Sequence, residues 1–503
     1  MNRGFRQDVA VTGGRIEGSE RNGILAFKGI PFAAPPVGQL RWKAPQPVVP
    51  WEGVRKAAAF APGPIQDFRS GMKAPLSEDC LYLNIWTGAQ AADEKRPVMV
   101  WIYGGAFLSG MTSSPVYDGT FLAKKGVVLV SIAYRVGPFG FLGHPELSAE
   151  SGAGSGCYGI MDMIAALKWV KANIATFGGD PDNVTIFGES AGGIATSMLA
   201  ASPKAAGLFH KIISQSGGSF APPMYGNEAG QNVPSLGKAE RTGAEFLAGL
   251  GANNLEAARQ LDAEAIQKAT AGRMLFWPVA DGEYILGDQY ERYLAGKFND
   301  TPVLIGTNSD EGASFIRPGA TGASFRKEIR SNYGPAAEAL LKAYPHATEE
   351  EAYKSSKDIF REQAFAWHTW TWADLQSAKG RNKSFVYYLD VRSPAMKDGA
   401  VHGFEIAYVF GNLQGWVPEI TAADHALSDL ISAYWVNFAR SGDPNGPGLP
   451  AWNPYDVSTR SAMILGHAPG MGSLPNQDKL LAFDAYYAWR RERILPTGSA
   501  AST

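Results

Sequence analysis

The chain has 503 residues, with 46 Lys plus Arg against 48 Asp plus Glu, a net charge of −2. That balance argues against a nucleic-acid partner, which calls for a basic excess, and an apolar fraction of 45% excludes disorder. Two cysteines, Cys80 and Cys157, cannot staple a scaffold or make a structural zinc site alone.

Met1 to Ala10 is polar and has no apolar core, so no signal peptide is read there. No run approaches about 18 apolar residues, so no membrane span is expected. Val98 to Tyr103, Val127 to Tyr134 and Val184 to Phe187 are near-continuous apolar runs, as in strands covered on both faces. Between the last two, Ile160, Ile164, Leu167, Lys171 and Ile174 follow helical spacing, with Lys171 at the exposed edge. Gly178-Gly179-Asp180-Pro181 stops that helix. Later strands are expected at Lys211 to Ser214, Val303 to Gly306 and Phe385 to Val391. Later helices are expected at Ala239 to Leu250, Leu255 to Ala269, Phe325 to Ala343 and Glu349 to Ser377, the last with a possible break. Asp443 to Pro450 reads as a surface loop. Strands alternating with helices predict an α/β fold with a large, mostly parallel sheet. Length alone allows about three domains of roughly 150 residues. No repeat or linker divides the chain, so one elaborated domain over residues 1–503 is expected.

Gly188-Glu189-Ser190-Ala191-Gly192 matches G-x-S-x-G between a predicted strand and the helix-compatible run Ile194 to Ala201. That strand, turn, helix context is the nucleophile elbow of α/β-hydrolases, where a strained turn lifts the serine oxygen clear of the backbone. A serine hydroxyl needs a base, and the base needs an orienting carboxylate. The fold's chain order is Ser, acid, His, which excludes His144 among the seven histidines. His210 abuts a strand and precedes most candidate acids, and His368 lies in a helical stretch. His402 sits in the loop Gly399 to Glu405 after a predicted strand and is the favoured base. Asp310 and Glu311 both follow the Val303 strand, and spacing does not choose between them. Gly104-Gly105-Ala106-Phe107 follows the Val98 strand, where small residues allow a carbonyl to approach backbone N–H donors. The N–H of Ala191, next to the nucleophile, completes such a hole.

Together these residues resemble the type-B carboxylesterases, the carboxylesterase/cholinesterase family, and most nearly its bacterial para-nitrobenzyl esterase type. The likeness runs from Phe27 to Ala33 through Ser77 to Asn84 (SEDCLYLN). It continues through Trp101 to Phe107, Phe177 to Pro181, Phe187 to Gly193 and Val401 to Gly403, and reaches Asp443-Pro444. It implies an α/β-hydrolase with helices on both sheet faces and insertions forming a gorge. It also implies Ser190 as nucleophile, Glu311 as acid, His402 as base, and oxyanion donors at Gly105, Ala106 and Ala191. Glu189 is implied as an active-site carboxylate outside the triad, and Arg41 as a structural partner of Glu78.

The chain departs from the family at Cys80, whose usual upstream partner is absent, since no Cys lies before Leu76. A reducing, cytoplasmic location is therefore expected, with periplasmic or secreted as the alternative if a leader has been removed. Pro62 to Ser77 is short and has no Trp, against a choline-ester preference. The expected activity is hydrolysis of small to medium uncharged esters, including those of bulky or aromatic alcohols. Feruloyl-type esterase, carbamate hydrolase and amidase are the alternatives on the same triad, and a non-catalytic binding homologue is the remote one. No cofactor or metal is called for. The partner is a small-molecule ester, and the chain is expected to be a monomer or weak homodimer. Pocket walls are expected from Glu189, Phe107, Met274, Phe276, Trp277, Trp367 and Trp416, while Trp367, Trp370 and Trp372 fit helix packing better.

Overall fold

The computed structural model describes residues 7–67, 74–228, 233–270 and 273–494. Eleven strands make one sheet: β1 (Ser19–Arg21), β2 (Ile24–Pro31), β3 (Tyr82–Thr87), β4 (Arg96–Ile102), β5 (Val128–Ile132), β6 (Gly179–Glu189), β7 (Lys211–Gln215), β8 (Val303–Asn308), β9 (Ser384–Leu389), β10 (Ser461–Leu465) and β11 (Gly470–Ser473). Their spatial order is β11-β10-β9-β8-β7-β6-β4-β5-β3-β2-β1. The seven strands from β10 to β5 pair in parallel, and both margins are antiparallel. Helices cover both faces, as in the α/β-hydrolase fold. Every residue of β5, β7 and β8 is buried, as in strands covered on both faces.

Each expected strand coincides with one of this sheet, though Tyr103, Val127, Ala133, Tyr134, Asp390 and Val391 lie beyond the strand ends, and several helices differ. Helix α1 (Tyr158–Asn173) passes into a tighter turn and ends at Gly178, which takes the left-handed conformation at φ 77°. Leu255 to Ala269 is two helices, 255–260 and 263–270, because Asp262 leaves the helix and its carboxylate accepts from the Ala265 N–H. Phe325 to Ala343 also divides, at Gly334-Pro335, where Gly334 has φ 50° and proline has no N–H to continue the ladder. Glu349 to Ser377 stays helical throughout, but α2 (Glu349–Arg361) joins α3 (Trp367–Lys379) through a wide π-type turn at Glu362–Ala366. Asp443 to Pro450 is a loop, as read.

One apolar core runs from Ile16 to Tyr487. The Arg41 guanidinium donates twice to Glu78, at 2.7 and 2.6 Å, and also to the Leu261 carbonyl at 2.7 Å. The early segment is thereby anchored to the middle of the chain. Cys80 and Cys157 are buried free thiols. Of the Pro62 to Ser77 segment, residues 68–73 lie outside the described residues. Among the described residues, no helix is long and apolar enough to cross a membrane.

Candidate active site

The site is assembled where parallel strands end. Gly104-Gly105 follows β4, Ser190 follows β6, Ser216 follows β7, Glu311 follows β8, and His402 lies in the loop after β9. Loops at the carboxyl ends of parallel strands are where open α/β sheets gather ligands.

Ser190 has φ 55° and ψ −124°, a strained conformation for a residue with a side chain. The neighbouring backbone enforces it. A Cβ on Gly188 would lie 2.6 Å from the Gly192 carbonyl carbon, and one on Gly192 only 1.9 Å from the Ile102 carbonyl oxygen. Only glycine allows the elbow to close against β4. The N–H groups of Gly105, Ala106 and Ala191 donate to no acceptor among the described residues. All three residues line one cavity of about 240 Å³ together with Ser190. Gly105 has φ 113°, and a Cβ there would meet the Ser109 carbonyl oxygen at 2.3 Å. The loop is therefore tightly held at the cavity's edge.

Glu311 is fully buried. Its Oε1 accepts from Ser216 Oγ at 2.5 Å and from the Asn308 N–H at 2.7 Å, and its Oε2 meets His402 Nδ1 at 2.5 Å. The imidazole is thus held from behind by a carboxylate that is itself fixed. Asp310, the other acid considered, turns away and pairs with Lys357 at 3.0 Å. Phe365 stacks on His402 at 4.6 Å between ring centres, and Phe315 flanks it at 5.0 Å. No hydrogen bond joins Ser190 to His402. Instead His402 Nε2 lies 3.1 Å from Glu189 Oε1, at an angle that leaves this buried oxygen without a hydrogen-bond partner. Burial pushes the Glu189 carboxyl up to about 8. Burial pulls His402 down, but the carboxylates of Glu189 and Glu311 outweigh it and hold the imidazole up at about 9. Both directions agree that the pair retains a proton into the alkaline range. A third buried carboxyl, Glu405, accepts from Asn308 Nδ2 at 2.5 Å and Gln215 Nε2 at 3.2 Å, and burial pushes it up.

The cavity walls differ from those expected. Glu189 and Trp277 line it, joined by Leu108, Ser109, Ile194, Phe315 and Phe365. Phe107 is fully buried behind the wall, edge-on to Trp277 at 4.9 Å. Phe276 packs on Phe246 in the core, and Met274 is exposed to solvent away from the cavity. Trp367 is core, tilted against Tyr487 at 4.1 Å between ring centres and donating to Asp484 at 2.7 Å, and Trp370 and Trp372 are buried with it. Trp416 borders a separate surface hollow with Leu413 and His425. Aromatic identity alone does not say which face of an element meets a cavity, so these four assignments and that of Phe107 are corrected by packing. Phe315 and Phe365 gave no local signal; each enters the site from a turn shaped by contacts across the fold. The other histidines are placed elsewhere. His368 is buried, accepts from the Phe220 N–H at 3.0 Å, and is pulled by burial down to about 3. His144 caps a helix at Glu146, and His210 accepts from the Val184 N–H. Among the described residues no group of three or more His, Cys, Asp or Glu is placed to hold a metal ion.

Residues 6–480 match the Carboxylesterase family. A fumonisin B1 esterase of Sphingopyxis macrogoltabida is 36% identical over 498 residues, covering 92% of this chain and 88% of that protein. The para-nitrobenzyl esterase of Bacillus subtilis (strain 168) is 36% identical over 502 residues, covering 94% and 97%. A solved PNB esterase superposes with a TM-score of 0.82 at 35% identity, covering 95% of this chain and 99% of that one. A Geobacillus stearothermophilus carboxylesterase does so with a TM-score of 0.83 at 34% identity, covering 95% and 100%. With the fold, the elbow and these likenesses together, the chain belongs to the carboxylesterase family and is a carboxylic ester hydrolase.

Proposed function

We propose that the protein hydrolyses small to medium uncharged esters by acyl transfer through Ser190. The observation that carries this reading is the convergence of Ser190, a His402 held by Glu311, and three free backbone N–H groups on one cavity. Ser190 Oγ attacks the ester carbonyl as His402 Nε2 takes its proton. The N–H groups of Gly105, Ala106 and Ala191 hold the developing oxyanion, and each such donor contributes on the order of 3 kcal/mol. His402 then protonates the leaving alkoxide, and the alcohol departs. Water attacks the acyl-enzyme by the same route in reverse order. Glu311 keeps the imidazole in the required tautomer throughout. Substrate entry has to bring the imidazole from Glu189 to Ser190, since catalytic hydrogen bonds often form only in the complex.

The walls favour neutral substrates. Trp277, Phe315, Phe365, Ile194 and Leu108 are apolar, and among the described residues no Lys or Arg lines the cavity. A volume near 240 Å³ suits a short acyl chain or an aryl group more than a long fatty chain. The test is reaction with an organophosphate and location of the adduct by mass spectrometry. Labelling of Ser190, lost in Ser190→Ala together with turnover of a para-nitrophenyl ester, is expected. Labelling at another residue would overturn the mechanism.

A further inference from the structure

We propose that Lys357, on α2 and outside the cavity, is a positioning residue that sets the acid loop against the base loop. The inference rests on the Ser190, His402, Glu311 reading above. Lys357 is almost wholly buried, at 4% exposure. Its Nζ donates to Asp310 Oδ2 at 3.0 Å and to Asp398 Oδ2 at 2.8 Å. Asp310 is the residue before Glu311, and Asp398 opens the loop that carries His402. One ammonium therefore bridges the two loops whose contact makes the acid–base pair.

The surrounding bonds show that this bridge has something to hold. The two loops meet backbone to backbone, with the Asp310 N–H donating to the Ala400 carbonyl at 2.8 Å. The Ala400 N–H returns to Ser309 Oγ at 2.9 Å, and Asn308 Nδ2 donates to the Val401 carbonyl at 2.9 Å. Helix α2 braces the acid loop directly. A Cβ on Gly312 would stand 2.3 Å from the Lys357 carbonyl oxygen, and Arg361, one turn on, donates to the Ser309 carbonyl at 2.5 Å. Glu311 is therefore clamped on three sides, but among the described residues Lys357 alone pairs with a carboxylate on each loop. Burying an ammonium is costly unless its partners are close, and here both are. Loosening the bridge lets the Asp310 and Asp398 carboxylates move apart, and with them Glu311 and His402. Displacements near 1 Å in such pairs cost up to about a hundredfold in rate.

The test uses the full chain, Lys357→Met and Asp398→Asn, singly and together, assayed at a temperature where each is folded. Asp398 is more than half exposed, so its amide replacement leaves the core intact. We expect kcat to fall roughly tenfold or more in Lys357→Met and a few-fold in Asp398→Asn, with KM within about twofold. The double variant should be no slower than Lys357→Met alone. A merely structural ion pair lowers the melting temperature and leaves kcat of the folded enzyme unchanged, and that result would overturn the inference. If Lys357→Met fails to fold, Asp398→Asn decides, with unchanged kcat counting against the bridge. Ser190→Ala in the same assay keeps the two readings apart. Activity surviving there removes the triad itself, whereas an inactive Ser190→Ala beside normal Asp398→Asn and Lys357→Met removes only the role of Lys357.

Discussion

At the scale of single residues, the contact between Glu189 and His402 sets how activity responds to pH. In the proposed mechanism His402 must be neutral at Nε2 to accept the Ser190 proton, yet Glu189 and Glu311 hold it up at about 9 against the effect of burial. The carboxyls facing the imidazole are Glu189, Glu311 and, further off, Glu405. Since the protonated form is the inactive one, kcat/KM should rise with pH through neutrality and level off only in the alkaline range. Glu189→Gln removes a carboxylate that raises the imidazole while keeping its shape. The rising limb of kcat/KM should then move to lower pH, as a pH-rate profile would show. A limb that stays in place would mean that Glu189 carries no charge in the resting enzyme. Ser190 and the glycines around it were legible in the sequence because the elbow is a local demand. Five residues of backbone require glycine on both flanks, whatever the rest of the chain does. The contact between Glu189 and His402 was not legible, because it joins residues more than two hundred positions apart.

At the scale of elements, the central strands could be read because burial on both faces leaves a continuous apolar signature. Margin strands such as β1, exposed at all three residues, carry no such signature. Helix limits followed local chemistry that a periodic pattern overlooks, such as Asp262 and Gly334-Pro335. The π-type turn at Glu362–Ala366 is the most consequential of these local departures. Its extra residue carries Phe365 over the imidazole while Trp367 turns into the core. Phe365→Ala removes the stacked face that limits the imidazole's tilt and opens the cavity wall. We expect kcat to fall roughly tenfold and KM for a small aryl ester to rise, measured by steady-state kinetics. Unchanged kcat would leave Phe365 as a cavity wall alone.

At the scale of the whole molecule, a near-zero net charge and a large apolar core agree with the proposal that the substrates are neutral esters. Cohesion comes from the apolar core, with buried ion pairs fixing its segments, rather than from covalent links. Arg135 and Asp162 form a bidentate pair with almost no exposure, and Arg41 holds Glu78 while reaching the Leu261 carbonyl. Cys80 and Cys157 contribute as small buried groups, and burial pushes both thiols up. The melting temperature should therefore be the same with and without a thiol reductant. Both thiols should react with a disulfide reagent only after unfolding, as a thiol titration in denaturant would show. A drop in melting temperature on reduction would mean that a disulfide had formed. Local demands that the sequence could express by itself include the buried core strands, the glycine-flanked serine and the strand-end glycines Gly104-Gly105. Each depends on residues within a few positions of one another. Tertiary structure alone decided which aromatics face the cavity, that Lys357 spans the two loops, and that the imidazole rests beside Glu189. These depend on which surfaces distant segments bring together, and side-chain direction there follows packing rather than local pattern.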